Sequence, residues 1–389
     1  MKKLIKRLIS RNRKINILVS LIRFILNFKL TSTRGNEKKF PKVIQLPITY
    51  QCNSKCIMCN VWKMDCTNEL SIKNFRKAIS DEIFKKVEAV GINGGEPSLV
   101  KDLEEYVKSI LALPNIKSIN IISHGFSSKL LLSKLQNIYN LCKNRKVDFS
   151  VLISLDGVGE THNIVRGKKG VFEKTLFSIK EISNKKDMYC DNLSLRCTLT
   201  KQNIEYWKEL DVFVDILNIS IEYGIAVDIK RIDNLNIHSI FSILDSNYHK
   251  QIAKELFYEK YLSSDNIYEK FKYYALYYYL ENQKRLLGCS WKDRDITLDS
   301  KGNIYYCAVE SDQIGNILED IGKSIFFNEK NLKYRENIVQ NKCDSCIHDY
   351  IGKIELKNGF IFLKYYIFQK FWLKIYRLKI FFLDLGVIK

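Results

Sequence analysis

The sequence predicts an α/β protein: an open, partial (β/α)6 barrel followed by a small C-terminal cysteine-ligated domain. Three observations lead there. Apolar β-rich runs alternate with helical patterns from about residue 43 to 235, three cysteines crowd the end of the first run, and four more surround a hairpin signal near the C-terminus. With 389 residues, 46% hydrophobic and only four prolines and 17 glycines, the chain can bury a sizeable core and has little room for flexible linkers.

Residues 1–42 form a basic N-terminal extension. Leu4, Ile5, Leu8 and Ile9, then Ile15, Leu18, Leu21, Ile22, Ile25 and Leu26, recur as on a helix with a basic face. Arg23 interrupts the apolar run and no small-residue cleavage site follows, so the stretch does not read as a secretory signal. The net charge of +20 is concentrated at the ends: residues 1–30 hold nine Lys or Arg and no acid, and residues 351–389 hold eight against Glu355 and Asp384. The middle of the chain is nearly balanced, which argues against nucleic-acid binding. Eleven cysteines without a signal peptide predict a reduced, cytoplasmic protein in which clustered thiols hold metal.

The run IQLPITYQ reads as the first barrel strand and delivers Cys52, Cys56 and Cys59 onto a loop at its C-terminal end, where α/β barrels build their sites. A structural zinc site calls for four ligands. No further Cys or His stands at knuckle spacing, and Cys66 lies on a charged loop. Three thiolates on a four-iron cluster leave one iron open for a ligand the protein does not supply. Further strands follow in KVEAVGIN, which runs into Gly94, Gly95, Glu96 and Pro97, then in INIISHGF, VDFSVLIS and NLSLRCTLT. A tyrosine-rich helical connector, 241–285, leads to Cys289. A DSKGN turn between two β-rich runs then precedes Cys307, and Cys343 and Cys346 complete a four-thiol set in 286–350 for which zinc is the plain alternative. In residues 351–389, Lys364, Lys370, Lys374, Arg377 and Lys379 break the apolar run, and Trp372 and the tyrosines suit a helix lying in a membrane interface.

The Cys-x3-Cys-x2-Cys spacing, the GGEP that follows and the SLDG stretch with His162 and Arg166-Gly167 together resemble the radical SAM enzymes over residues 43–240. Met58 departs from the aromatic usual at its position, and Ser123-His124-Gly125 stands where relatives often have Thr-Asn-Gly. The resemblance implies a [4Fe-4S] cluster on Cys52, Cys56 and Cys59, with S-adenosylmethionine on its open iron. Gly94, Gly95, Glu96 and Pro97 would then bind the cosubstrate's amino group, and Ser154 and Arg166 its ribose or carboxylate. One electron, from a donor of flavodoxin or ferredoxin type, would cleave S-adenosylmethionine to a 5'-deoxyadenosyl radical that takes hydrogen from substrate. Cys289, Cys307, Cys343 and Cys346 resemble the shortened twitch form of the SPASM domain, implying one auxiliary [4Fe-4S] cluster that accepts an electron. Cys66, Cys142, Cys190 and Cys197 are left as plain thiols. This layout is most like the dehydrogenase branch, so the expected reaction is oxidation of a C–H or alcohol group on a sugar-like small molecule, a carbohydrate or aminocyclitol. Arg196, Lys230 and Arg231 lie near strand ends, and none is assigned as the base. The alternatives are a peptide- or protein-modifying maturase, for which residues 1–42 are short and basic, and a zinc-stapled nucleic-acid-binding protein. The two basic termini add an expected peripheral position on the inner face of the membrane.

Overall fold

The structure is a computed structural model that describes residues 13–26, 28–29 and 39–369. The readings on residues 1–12 and on Lys370, Trp372, Lys374, Arg377 and Lys379 lie outside the described residues. Contacts divide the chain into two units, residues 37–253 with 290–348, and residues 1–36 with 254–289 and 349–389.

In the larger unit six parallel strands stand side by side in chain order: β1 (Val43–Thr49), β2 (Ala89–Gly94), β3 (Ser118–Ser123), β4 (Asp148–Ser154), β5 (Asn192–Leu199) and β6 (Ile221–Ile225). Helices α1 (Ile72–Ile79), α2 (Leu103–Ile110), α3 (Ser128–Arg145), α4 (Phe172–Asn184) and α5 (Trp207–Leu217) make the crossovers. The strands alternate as a half-covered sheet requires. Ile119 and Ile121 of β3 and Phe149, Val151 and Ile153 of β4 are buried, as are Leu131, Leu135 and Ile138 of α3. Each such side chain stabilises the fold by roughly 1.5–3 kcal/mol relative to leaving it exposed. The opposite row is mostly polar, with Ile122 beside Leu152 among its members, and is aligned in layers by the register. Asn120 lies beside Ser150 and Ser150 beside Asn192, while Ser154 lies beside Arg196 and Arg196 beside Glu222. That row lines the inside of the open barrel.

The hairpin expected at DSKGN is present as β7 (Ile296–Leu298) and β8 (Asn303–Tyr305), with Gly302 at φ +85° in its turn. Strand β7 pairs in parallel with β1, Ile44 against Ile296, and β9 (Gly315–Asn316) pairs with β8, so one sheet of nine strands runs through the unit. Those backbone hydrogen bonds are why residues 290–348 group with the barrel.

In the smaller unit the helices Arg13–Leu26 and Ile267–Asn282 and the helical residues 254–263 and 356–369 share an aromatic core. Phe24 meets Phe28, Phe271 and Phe362 edge-on at 5.1, 5.3 and 5.4 Å, and Tyr274 stacks on Tyr365 at 4.4 Å. The tyrosine-rich connector is therefore core to this unit. Among the described residues, no helix is long and apolar enough to cross a membrane.

Candidate active site at the barrel mouth

Beyond β1 the chain leaves regular structure, and the loop carrying Cys52, Cys56 and Cys59 is held from three sides. On the first side, Gly95 N donates to Thr49 O at 2.6 Å and Glu96 N to Gln51 O at 2.8 Å. A Cβ on Gly95 would sit 2.1 Å from Gln51 O, and one on Gly94, at φ +126°, 2.4 Å from Thr49 O, so the two glycines permit this approach. From the helix Glu160–Arg166 beyond β4, Arg166 O accepts from Lys55 N and Ser54 Oγ at 3.2 and 2.9 Å, and Val165 O accepts from Ile57 N at 3.0 Å. From beyond β6, Asn234 Nδ2 donates to Met58 O at 2.9 Å while Asn60 Nδ2 donates to Asp233 O at 2.7 Å. Cys52 and Cys59 pack against the apolar cluster of Tyr50, Val61 and Ile232.

The charges sort into those already used and those left over. Glu96 is buried and accepts from Ser98 N, Ser123 Oγ and His124 N at 3.1, 2.7 and 3.0 Å, so its carboxylate ties β2 to β3. Burial holds His124 near pKa 4, against the pull of Glu96. Buried His162 is likewise kept neutral, and its Nδ1 accepts from Asp156 N at 3.1 Å. Arg166 is also committed: its Nη2 lies 2.5 Å from Asp156 Oδ2 and its Nη1 donates to Cys56 Sγ at 3.6 Å. It thus acts on a cysteine of the loop. Ser154, half-buried at the end of β4, faces the barrel interior with the polar row. Pro97 opens a 3-10 turn capped by Glu96.

The thiols fit a group that supplies positive iron. Burial raises Cys52 to about 12 and Cys59 to about 11, and the neighbouring thiols add to both shifts. Protons would therefore stay on unless a cation replaced them. Among the described residues, no three His, Cys, Asp or Glu side chains gather as one metal ion requires. A four-iron cluster, by contrast, spreads its cysteines over separate irons.

In the larger unit, Cys307 follows β8 and its Sγ accepts from Val309 N at 3.4 Å, while Cys343 and Cys346 frame a 3-10 turn. Cys289 ends a segment of the smaller unit, immediately before Ser290. Cys142, Cys190 and Cys197 are buried and Cys66 is exposed. Burial keeps the thiols of Cys142 and Cys190 at about 12, as expected of packing residues. Sequence reasoning missed Tyr50 and Asp299. The Tyr50 hydroxyl donates to Asp299 Oδ2 at 2.6 Å, and Tyr305, Asn303 and Lys301 donate to the same carboxylate. The aspartate of the DSKGN turn was the available signal.

The family description "Radical SAM superfamily" matches residues 46–214. Pre-heme d1 synthase of Dinoroseobacter shibae is 28% identical over 180 residues, covering 46% of this chain and 40% of the relative. The sporulation killing factor maturation protein SkfB of Bacillus subtilis is 28% identical over 152 residues, covering 38% and 34%. The antilisterial bacteriocin subtilosin biosynthesis protein AlbA of the same species is 23% identical over 331 residues, covering 81% and 67%. The first two matches thus span well under half of those relatives' lengths. Among solved structures, Streptococcus suis SuiB bound to S-adenosylmethionine superposes with a TM-score of 0.54 at 16% identity, covering 76% of this chain and 68% of that one. The anSMEcpe structure with bound AdoMet and Cp18Cys peptide gives 0.57 at 18%, covering 85% and 97%. These likenesses concern the fold. Over residues 46–214 the chain is similar to the radical SAM superfamily, and its fold is like that of SuiB and anSMEcpe.

Proposed function

We propose that the chain is a radical SAM oxidoreductase that oxidises a C–H or alcohol group on a polar, sugar-like small molecule. The observation that carries this reading is the pairing of a thiol loop clamped at the barrel mouth with a polar inner face, in which Asn120, Ser150, Ser154, Arg196 and Glu222 offer hydrogen bonds to a hydroxylated substrate. Cys52, Cys56 and Cys59 would hold the first [4Fe-4S] cluster. Gly94, Gly95, Glu96, Pro97 and Ser154 would line the S-adenosylmethionine site, and Arg166 would steady Cys56. When bound, that pair of groups supplies a radical able to take a hydrogen atom from carbon. Around it, Tyr50, Val61 and Ile232 keep water from Cys52 and Cys59, and the clamps hold the loop at the strand ends. Cys289, Cys307, Cys343 and Cys346 would hold one auxiliary [4Fe-4S] cluster, whose all-protein ligation suits electron acceptance. A flavodoxin- or ferredoxin-type protein would supply the priming electron.

A second reading, modification of a peptide, is favoured by the similarity to AlbA over 81% of this chain. Anaerobic reconstitution tests the shared core: about eight irons per chain and 5'-deoxyadenosine on adding reductant and S-adenosylmethionine are expected. One or two zinc ions and no cleavage would refute it. Cys346→Ala should still cleave S-adenosylmethionine while losing substrate turnover. Assays with sugars and with a precursor peptide separate the two readings.

A further inference from the structure

Among the described residues, Arg231 is a half-buried cation at the barrel mouth that the clamps leave unpaired. It sits in the short turn Lys230–Ile232 after β6, a turn held by Lys230 N donating to Val309 O at 2.9 Å and by Ile232 packing with Tyr50 and Val61 beside Cys52 and Cys59. The guanidinium carbon lies 5.7 Å from the centre of the Tyr50 ring. Nε and Nη1 are shielded from solvent with no hydrogen-bond partner. Among the described residues, no carboxylate on the segments that touch this turn forms an ion pair with Arg231, Asp233 and Glu310 included, and the others are engaged elsewhere. Asp228 pairs with His238, Asp312 with Lys230 and Tyr334, and Glu69 with Thr49, Tyr50 N and Ser300. Asp299 is taken up by Tyr50, Tyr305, Asn303 and Lys301. Arg231 forms no ion pair with a described residue, and its charge opposes the burial that raises Cys59, Tyr50 and Tyr305. Desolvated guanidinium nitrogens without an acceptor are unfavourable, and a planar donor fork is suited to carboxylate or phosphate.

We infer that Arg231 binds a carboxylate or phosphate group on the substrate, which makes the substrate an acidic, sugar-like molecule. The inference rests on the proposed function and narrows its substrate class. The residues assigned to the cosubstrate follow β2 and β4, whereas Arg231 follows the edge strand β6, in a turn that packs on Tyr50 just beyond β1. The turn carrying Arg231 also reaches Val309 beyond β8, so the acidic group belongs to the substrate, and the carboxylate of S-adenosylmethionine is the competing source.

The test is equilibrium titration of the reconstituted holoenzyme with D-glucuronate, D-glucose 6-phosphate and neutral D-glucose, alongside S-adenosylmethionine. The wild type should bind at least one acidic sugar about 10-fold or more tighter than glucose. Arg231→Gln should weaken that binding by about 10- to 100-fold, as loss of a charged hydrogen bond does. Arg231→Lys should keep part of it, and Lys230→Ala, at the exposed neighbouring ion pair, all of it. S-adenosylmethionine affinity should stay unchanged throughout. No preference for an acidic sugar in the wild type, or a preference that survives Arg231→Gln, overturns the inference. So does a fall in S-adenosylmethionine affinity with sugar binding intact, which would give the cation to the cosubstrate. Failure of the wild type to bind S-adenosylmethionine would count against the proposed function instead, and the sugar arms would still decide the role of Arg231.

Discussion

Gly95→Ala should dislodge the three-cysteine loop. The added methyl would lie 2.1 Å from Gln51 O, 2.6 Å from Gln51 C and 2.8 Å from Tyr50 O, all backbone atoms in the residues just before Cys52. Ordinary contact therefore needs a retreat of about 1 Å or more, and no flexible side chain is there to absorb it. Such a retreat stretches both hydrogen bonds that join GGEP to the loop, Gly95 N to Thr49 O and Glu96 N to Gln51 O. Losing the two costs about 1 kcal/mol each, and residual backbone distortion adds about 1–3, for a total of about 3–5 kcal/mol. Urea unfolding of the iron-free protein reads the stability, and iron per chain after reconstitution reads the loop. Gly170→Ala is the control. Its φ is +65° with nothing within 4 Å of the added carbon, so it should cost only the left-handed penalty of about 1–2 kcal/mol and load iron normally. If Gly95→Ala matched or exceeded the stability of Gly170→Ala and loaded the full iron content, the clamp argument would fail.

Arg166→Met strands the fully buried Asp156 without its partner and should lower stability by about 3–5 kcal/mol in urea unfolding; an unchanged midpoint would contradict a structural role for the pair. Tyr50→Phe removes a hydrogen bond to a buried carboxylate, so a loss of about 1.5–3 kcal/mol is expected from thermal or urea unfolding. At His238, burial lowers the pKa but the bonds to Asp228 and Asp245, both at 2.8 Å, more than offset it, so the folded value stands above the unfolded 6.5. Its stabilisation is then fully present below pH 6.5 and lost as pH rises through the folded pKa, so the difference in Tm between wild type and His238→Gln should shrink from pH 6 to pH 9. The ring is partly exposed, which keeps the effect small. Removing residues 370–389 should reduce pelleting with anionic vesicles if the basic C-terminus meets a membrane; the cut spares Phe362, which is fully buried.

What could be read from the sequence was local. IQLPIT, INIIS and DFSVLIS carry strand character in their own alternation, and the cysteine spacing needs only a few adjacent residues to register. What could not be read depends on partners far along the chain. Tyr50 meets Asp299 across 249 positions, and β7 joins β1 across a similar span, which no periodicity announces. Arg166 shows a related failure. A sequence displays an arginine as an available cation, whereas the fold buries this one against Asp156 and Cys56, so its charge is largely cancelled before any ligand arrives.

That cancellation gives the mouth an electrical direction. On the wall beyond β4, Arg166 is paired with Asp156 and Glu96 is absorbed by three donors, while Lys168 Nζ donates to Asn53 O on the cysteine loop at 3.1 Å. On the wall beyond β6, Arg231 has no balancing carboxylate in contact among the described residues, and the apolar packing of Tyr50, Val61 and Ile232 lowers the local dielectric, which strengthens whatever field remains. A zwitterion and an anion entering the same mouth would therefore be sorted by charge before shape is tested, the anion toward Arg231. Exchanging the two walls' charges, with Arg231→Gln and Asp156→Asn in one chain, should erode that sorting even if both ligands still bind.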